Sequence, residues 1–336
     1  MSSLTKSRKG EHIRICLTKD VQFSKSNGFE CIEFEHIALP EIDRDEIDLS
    51  TKFLGKKFDY PLFIEAMTGG TKLGERINKN LAKAAELLGI GMGVGSQRAM
   101  LENHALKKTY YVRDVAPNIF LLGNIGAVQL PQYKIDDIKN LVYEIDADGL
   151  AIHLNPAQEL AQPEGDANWK NVLKHIKILT KSAKFPVVAK EVGHGISGYV
   201  AYKLVKAGVK AIDIAGAGGT SWVKVEKYRG KKDVSHIEEW GIPTAEALLD
   251  VLETVNIPVI ASGGMRTAED IVKALSLGAD LVGMAYPLLK PATQSWKKVK
   301  EYLEKIIEQM KDIMVLLGCK DLKELRRIRI EYNNQL

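Results

Sequence analysis

From Tyr60 onward the chain alternates short apolar runs with segments whose apolar residues recur at helical spacing. The runs begin near Pro61 (PLFIEAM), Gly91 (GMGVG), Ile119 (IFLLGN), Gly149 (GLAIHLN), Pro186 (PVVAKEV), Lys210 (KAIDIAG), Pro258 (PVIASGG) and Asp280 (DLVGMA). Most are β-branched or small and nearly continuous in apolarity, as strands covered on both faces should be. Between them, Ile77, Leu81, Ala84 and Leu88, then Trp169, Val172, Leu173 and Ile176, then Ile271, Ala274 and Leu275 mark the buried stripes of amphipathic helices. Val299, Leu303, Ile306, Met310 and Ile313 predict a long final helix. Strands alternating with helices pair in parallel, and eight such units close a ring. The pattern predicts an α/β fold of the (β/α)8 TIM-barrel type. An open doubly wound sheet would carry an early GxGxxG turn with an acidic residue about 20 positions on. Gly91-Met-Gly93-Val-Gly95 is the nearest candidate, and its spacing is wrong.

The barrel is expected over residues 60–317. Residues 1–59 then form an N-terminal extension of the same domain, with a candidate short strand near Cys31–Phe34, and residues 318–336 a helical tail. Residues 216–242 make a long, charged connection after the sixth strand, readable either as a lid or substrate loop or as a solvated elaboration.

Composition adds mostly exclusions. Apolar residues make up 45% of the 336 and charged residues 27%, close to an ordinary globular protein. Lys+Arg 47 against Asp+Glu 43 leaves a net charge of +4, which suggests neither a nucleic-acid nor a membrane partner. Cys16, Cys31 and Cys319 are sparse and form no CxxC pair, which fits a reducing cytoplasm better than a disulfide scaffold or cysteine metal site. Neither a signal peptide nor a membrane span is legible, so a soluble, cytoplasmic protein is expected.

Candidate chemistry gathers where the predicted strands end, the face on which barrels carry their sites. The turn Ala261-Ser-Gly-Gly-Met-Arg-Thr267 follows strand seven and opens a helix, so close backbone approach and free N–H groups suit a phosphate. Gly283-Met-Ala-Tyr286 supplies the other wall, and Gly216-Ala-Gly-Gly-Thr220 lies beside it. Lys190 ends strand five, where an ammonium would stabilise an anionic substrate or reduced flavin. Strand four carries the sharpest polar cluster, His153-Leu-Asn155-Pro-Ala-Gln158-Glu159, with His153 and Asn155 on one side. Glu159 alone makes no metal cage, but could hold Mg²⁺ if substrate phosphate and water completed the shell. Arg98, after Gly95-Ser-Gln, suits bidentate phosphate contacts. The basic segment Lys6–His12, taken alone, reads as a solvated terminus.

With these residues in place, the chain resembles the type 2, FMN-dependent isopentenyl-diphosphate isomerases. The matching motifs are MTGG at Met67–Gly70, GSQR at Gly95–Arg98, GNIGA at Gly123–Ala127 and HLNPAQE at His153–Glu159. AKEVGHGIS at Ala189–Ser197, AGAGGTSW at Ala215–Trp222, SGGMR at Ser262–Arg266 and RKGEH at Arg8–His12 complete the set. HLNPAQE and GSQR together are diagnostic, whereas SGG and GAGGT recur in other phosphate-binding barrels. The resemblance implies interconversion of isopentenyl and dimethylallyl diphosphate with reduced FMN, Mg²⁺ and NADPH as reductant, in a homotetramer or homo-octamer. It implies FMN contacts from Ala66, Met67, Thr68, Ser96, Asn124, Lys190 and Thr220, with Gly263, Gly264, Met265, Ala285 and Tyr286 at its phosphate. Substrate would meet Arg8, Lys9, His12, Ser96, Gln97, Arg98 and Gln158. Gln158, His153 and Asn155 would serve catalysis, and Glu159 the magnesium.

Rival readings lack their residues. A 2-hydroxy-acid oxidase would want a His base with an Arg clamp near strand seven, where Arg266 stands without a matching His. An IMP-dehydrogenase-like barrel needs a nucleophilic Cys on a strand-end loop, and all three cysteines lie outside the eight-strand region. A barrel kept for binding or assembly would not need so polar a mouth.

Overall fold

The computed structural model describes residues 2–230 and 232–332, with side chains from Arg8 onward. Eight parallel strands close into a barrel: Leu62–Ile64, Gly91–Gly93, Leu121–Gly126, Gly149–His153, Val187–Lys190, Ala211–Asp213, Val259–Ser262 and Leu281–Met284. The last pairs with the first, Val282 opposite Leu62, so the barrel sheet has no open edge. Every one of the eight expected runs supplies one strand.

The helices fall where the apolar spacing puts them. Lys72–Leu88 buries Ile77, Leu81, Ala84 and Leu88, and Trp296–Leu316 buries Val299, Leu303, Ile306 and Met310. After the fourth strand the stripe is narrower than expected. Trp169 precedes the helix Val172–Ser182, and Leu173 is exposed, so only Val172, Ile176 and Leu179 face the barrel. No helix among the described residues is long and apolar enough to cross a membrane.

The segments outside the repeat close the two ends. An antiparallel hairpin, Thr51–Phe53 with Lys56–Phe58, lies against the N-terminal ends of the strands. Its Phe53 and Phe58 pack with Phe120 at ring separations of 5.7 and 5.9 Å, and Lys56 Nζ donates to Ile119 O. A Cβ at Gly91 would sit 2.7 Å from the Phe58 ring, so the second strand must begin with glycine for the hairpin to seat. The expected strand near Cys31–Phe34 is present as Ile32–Phe34. Its partner, Ile330–Tyr332, lies in a tail that otherwise carries the short helix Leu322–Leu325. Residues 333–336 of that tail lie outside the described residues.

At the other end stands a helix, Ser2–Thr18, where residue type alone suggests a solvated basic terminus. Lys9, Ile13, Ile15 and Cys16 are buried instead. Arg8, Lys9, His12, Ile13 and Cys16 recur on one helical face and roof the barrel mouth.

Candidate functional site

One cavity under this roof gathers the sequence-predicted residues with a single exception. Its walls come from the ends of the barrel strands and the turns after them. Ala66, Met67 and Thr68 follow strand one, Ser96 and Arg98 strand two, and Asn124 lies in strand three. His153, Asn155, Gln158 and Glu159 come from strand four and the short helix Pro156–Ala161, Lys190 from strand five and Thr220 from the turn after strand six. Gly263, Gly264, Met265, Ala285 and Tyr286 close the ring after strands seven and eight.

Gln97 is the exception. It is fully buried and does not line the cavity. Its Oε1 accepts from Asn124 N at 2.8 Å and its Nε2 donates to Leu141 O at 2.9 Å. The amide ties the end of strand two to strand three and the helix beyond. The structure does not bring Gln97 into the cavity with its neighbours Ser96 and Arg98, which do reach it.

The phosphate corner also differs in detail from its expectation. Thr267 and Asp270 form a capping box at the helix after strand seven, and this occupies two of the N–H groups that a phosphate was expected to use. The helix Tyr286–Gln294 after strand eight starts at Ala285 with no side-chain cap; Pro287 has no N–H and Leu288 N donates to Ala285 O at 3.0 Å, which leaves the Tyr286 N–H and the positive dipole end beside the cavity. The glycine turns after strands six and seven interlock. A Cβ on Gly263, whose φ is +103°, would lie 2.1 Å from Gly216 O, and one on Gly219 would lie 2.5 Å from Gly264 N. Thr68 Oγ1 is buried on the wall without a partner. A backbone cradle, an uncapped helix end and an orphaned hydroxyl fit a phosphorylated ring.

The polar cluster after strand four is a connected network. His153 Nδ1 lies 2.7 Å from Asn124 Oδ1. An amide oxygen only accepts, so the ring proton sits on Nδ1 and Nε2 keeps a lone pair. Desolvation, with Lys190, Lys9 and Arg8 nearby, pushes the His153 pKa down to about 3, which keeps the imidazole neutral near pH 7. Asn155 Nδ2 donates to Gln158 Oε1 at 3.0 Å and to Glu159 Oε1 at 3.1 Å. Gln158 Nε2 in turn donates to Glu226 Oε1 at 3.2 Å. Both ends of the Gln158 amide are thus fixed. Glu159 Oε2 accepts from Asp166 N at 2.7 Å, and among the described residues no group of three His, Cys, Asp or Glu converges as a metal cage.

Glu226 was not legible from sequence. It sits in helix Trp222–Arg229, fully buried, and bonds His12 Nε2 at 2.9 Å and Arg229 Nη1. Burial works against its charge, yet the hydrogen bond from His12 and the Arg229 guanidinium hold its carboxyl below the usual range. The long connection after strand six is therefore tied to the roofing helix rather than solvated throughout. Lys9 donates to Ser96 O at 2.6 Å and to Tyr110 Oη at 2.7 Å. Burial first, and Arg8 second, lower its pKa to about 7.

Two other readings change. Cys16 lines the cavity although it lies outside the strand region, but burial and Glu226 raise its thiol to about 12, a poor nucleophile. All three cysteines are free and buried. Lys190 lies among two carboxylates, Glu65 and Asp213, neither singled out by the sequence. Each of those three charges interrupts an otherwise apolar strand-end run, which was the available signal.

The match to the family model of FMN-dependent dehydrogenases covers residues 138–332. An isopentenyl-diphosphate delta-isomerase of Pyrococcus furiosus is 49% identical over 97% of this chain and 86% of its own length. One of Nostoc sp. is 45% identical over 97% of this chain and 95% of its own. Among solved structures, the monotopic membrane protein (S)-mandelate dehydrogenase gives a TM-score of 0.66 at 15% identity over 96% of each chain. A flavocytochrome b2 mutant with pyruvate bound gives 0.67 at 20% identity over 95% of this chain and 82% of that one. At such identities the solved structures speak for the fold alone.

Proposed function

The chain belongs to the type 2, FMN-dependent isopentenyl-diphosphate delta-isomerases, and from that premise we propose how its cavity moves a double bond within isopentenyl diphosphate to give dimethylallyl diphosphate. The observation that carries the reading is the cavity itself. Its cationic and amide-rich wall, its glycine cradle and the roofing helix meet around one cavity.

FMN would lie along Ala66, Met67, Thr68, Ser96, Asn124, Lys190 and Thr220, with its phosphate at Gly263, Gly264, Met265, Ala285 and Tyr286. The orphaned Thr68 hydroxyl and the uncapped helix at Tyr286 support that orientation. Reduced FMN, once bound, supplies at its N5 region the proton exchange with an unactivated alkene that an ordinary carboxylic acid performs poorly. The protein's own groups then bind, orient and exclude water.

Arg8, Lys9, His12, Ser96 and Arg98 would surround the diphosphate. Glu159 would hold Mg²⁺ against it, with phosphate and water oxygens completing the shell that no protein cage supplies. Ile13, Cys16, Trp222 and Leu289, all on the cavity wall, would receive the five-carbon tail. Gln158 touches substrate as a catalytic residue in this reading, its amide aimed by Asn155 and Glu226. Asn155 and neutral His153 hold their neighbours; an imidazole with so low a pKa is no proton donor near neutrality. NADPH as external reductant, a homotetramer or homo-octamer, and a cytoplasmic location complete the proposal by family analogy.

Anaerobic incubation with isopentenyl diphosphate, FMN, reductant and Mg²⁺ is the test. Dimethylallyl diphosphate should form with no net flavin oxidation and should stop on chelation of the metal. Gln158→Asn should lower kcat at least a hundredfold while FMN stays bound; loss of flavin with full turnover of the remainder would remove Gln158 from the chemistry.

A further inference from the structure

Three strand ends meet in a charge cluster at the floor of the cavity. Lys190 Nζ lies 3.4 Å from Glu65 Oε2 and 3.2 Å from Asp213 Oδ2, and donates to Glu191 O at 2.6 Å. Exposure of Glu65, Asp213 and Lys190 is 5%, 2% and 7%. Two carboxylates therefore face one ammonium away from water. Both could be ionised only by burying an uncompensated negative charge, so one of them keeps its proton.

The surroundings say which. Asp213 is the nearer to Nζ, and its Oδ1 accepts from Ser262 Oγ at 2.5 Å, a bond that favours the anion. Glu65 has no comparably close donor; its contact with Lys190 Nζ is the longer one, at 3.4 Å. Burial first and Asp213 second push the Glu65 carboxyl up to about 8, with Lys190 pulling the other way. Glu65 also lines the cavity, whereas Asp213 does not. Room for it is provided by Gly283, where a Cβ would lie 2.2 Å from Glu65 Oε1.

We propose that Glu65 and Asp213 are positioning residues that set, through Lys190, the charge beneath the bound flavin: Asp213 is the standing counter-ion and Glu65 a spare carboxyl that carries a proton. The inference deepens the FMN reading of this cavity and rests on it. While Glu65 is protonated the cluster is neutral; when it ionises the floor gains one negative charge. Reduced flavin is the more electron-rich form, so that charge weakens its binding relative to the oxidised form. The charged groups facing Glu65 are Lys190 from strand five and Asp213 from strand six. Ser262 and Gly283, from strands seven and eight, bring no titrating group. Lys190 in turn faces Glu191 and acts on His153.

The midpoint potential of FMN on the holoprotein, from pH 6 to 9.5, tests this in wild type, Glu65→Gln and Asp213→Asn. Gln reproduces the shape of the protonated acid. The wild-type and Glu65→Gln curves should coincide near pH 6. Between pH 7 and 9 the wild type should lose about tenfold more of its preference for reduced flavin, equal to about 30 mV for a two-electron couple. In Asp213→Asn, Glu65 takes over as counter-ion, so that extra loss above pH 7 should vanish there too. Curves that superimpose for wild type and Glu65→Gln with FMN bound, or an Asp213→Asn protein that keeps the wild-type drop, would overturn the proposal and leave the FMN reading standing. A folded protein that takes up no FMN would overturn both.

Discussion

Gln97 spends both ends of its amide on backbone, and that use has a measurable cost. Gln97→Leu keeps the volume but strands the Asn124 N–H and the Leu141 carbonyl, both buried. At roughly 1–3 kcal/mol for each unsatisfied group, unfolding stability should fall by about 2–6 kcal/mol, read from denaturant midpoints, while FMN uptake persists. His153 gives a prediction of different kind. Its pKa is about 3 in the folded chain against an ordinary value near 6.5. Between those values the unfolded chain binds a proton that the folded one refuses. Its contribution to stability is thus whole above pH 6.5 and lost as pH falls toward 3. Proton NMR at pH 5 should find a neutral ring; titration near 6.5 would mean a wetter site. At this scale the sequence revealed residues that stand out against their neighbours, such as Gln158 and Glu159 beyond an apolar strand. Glu226 did not stand out. It sits among Lys224, Lys227 and Arg229, and nothing in such a run says which charge turns inward.

Periodicity does most of its work at the scale of elements. The barrel strands and the helices around them repeat their patterns over enough residues to be read. The hairpin Thr51–Phe58 and the pair Ile32–Phe34 with Ile330–Tyr332 stand outside that repeat; the strand at Ile32–Phe34 is among those expected, but its partner lies almost a chain length away. The roofing helix Ser2–Thr18 escaped residue-by-residue reading for a related reason. Its buried face carries Lys9 and His12 among apolar residues, so it does not look like a core stripe. What holds it is polar: His12 to Glu226, Glu11 to Arg229 at 3.2 Å and Arg8 to Glu164 at 3.6 Å. Glu226→Gln removes the charge at the centre of that latch. With hydrogen bonds to charged groups worth about 1.5–3 kcal/mol, amide exchange in residues 8–18 should speed up tenfold or more, with the barrel strands unchanged. Equal protection in the variant would show that apolar contacts at Ile13 and Cys16 hold the helix alone.

Across the whole molecule, closure of the ring followed from counting eight runs, and the position of chemistry followed from the ring. What counting could not supply was how the two ends are finished, since both are sealed by chain outside the repeat. Among the described residues the aromatic hairpin covers the barrel under its strands, and the cavity lies beneath the latched helix at the other end. In the proposed arrangement the flavin lies deeper than the diphosphate, which predicts an order: FMN settles first and leaves last. Adding isopentenyl diphosphate and Mg²⁺ should therefore slow the escape of FMN to a trapping apoflavoprotein several-fold. An escape rate indifferent to substrate would mean that the flavin does not lie behind the diphosphate.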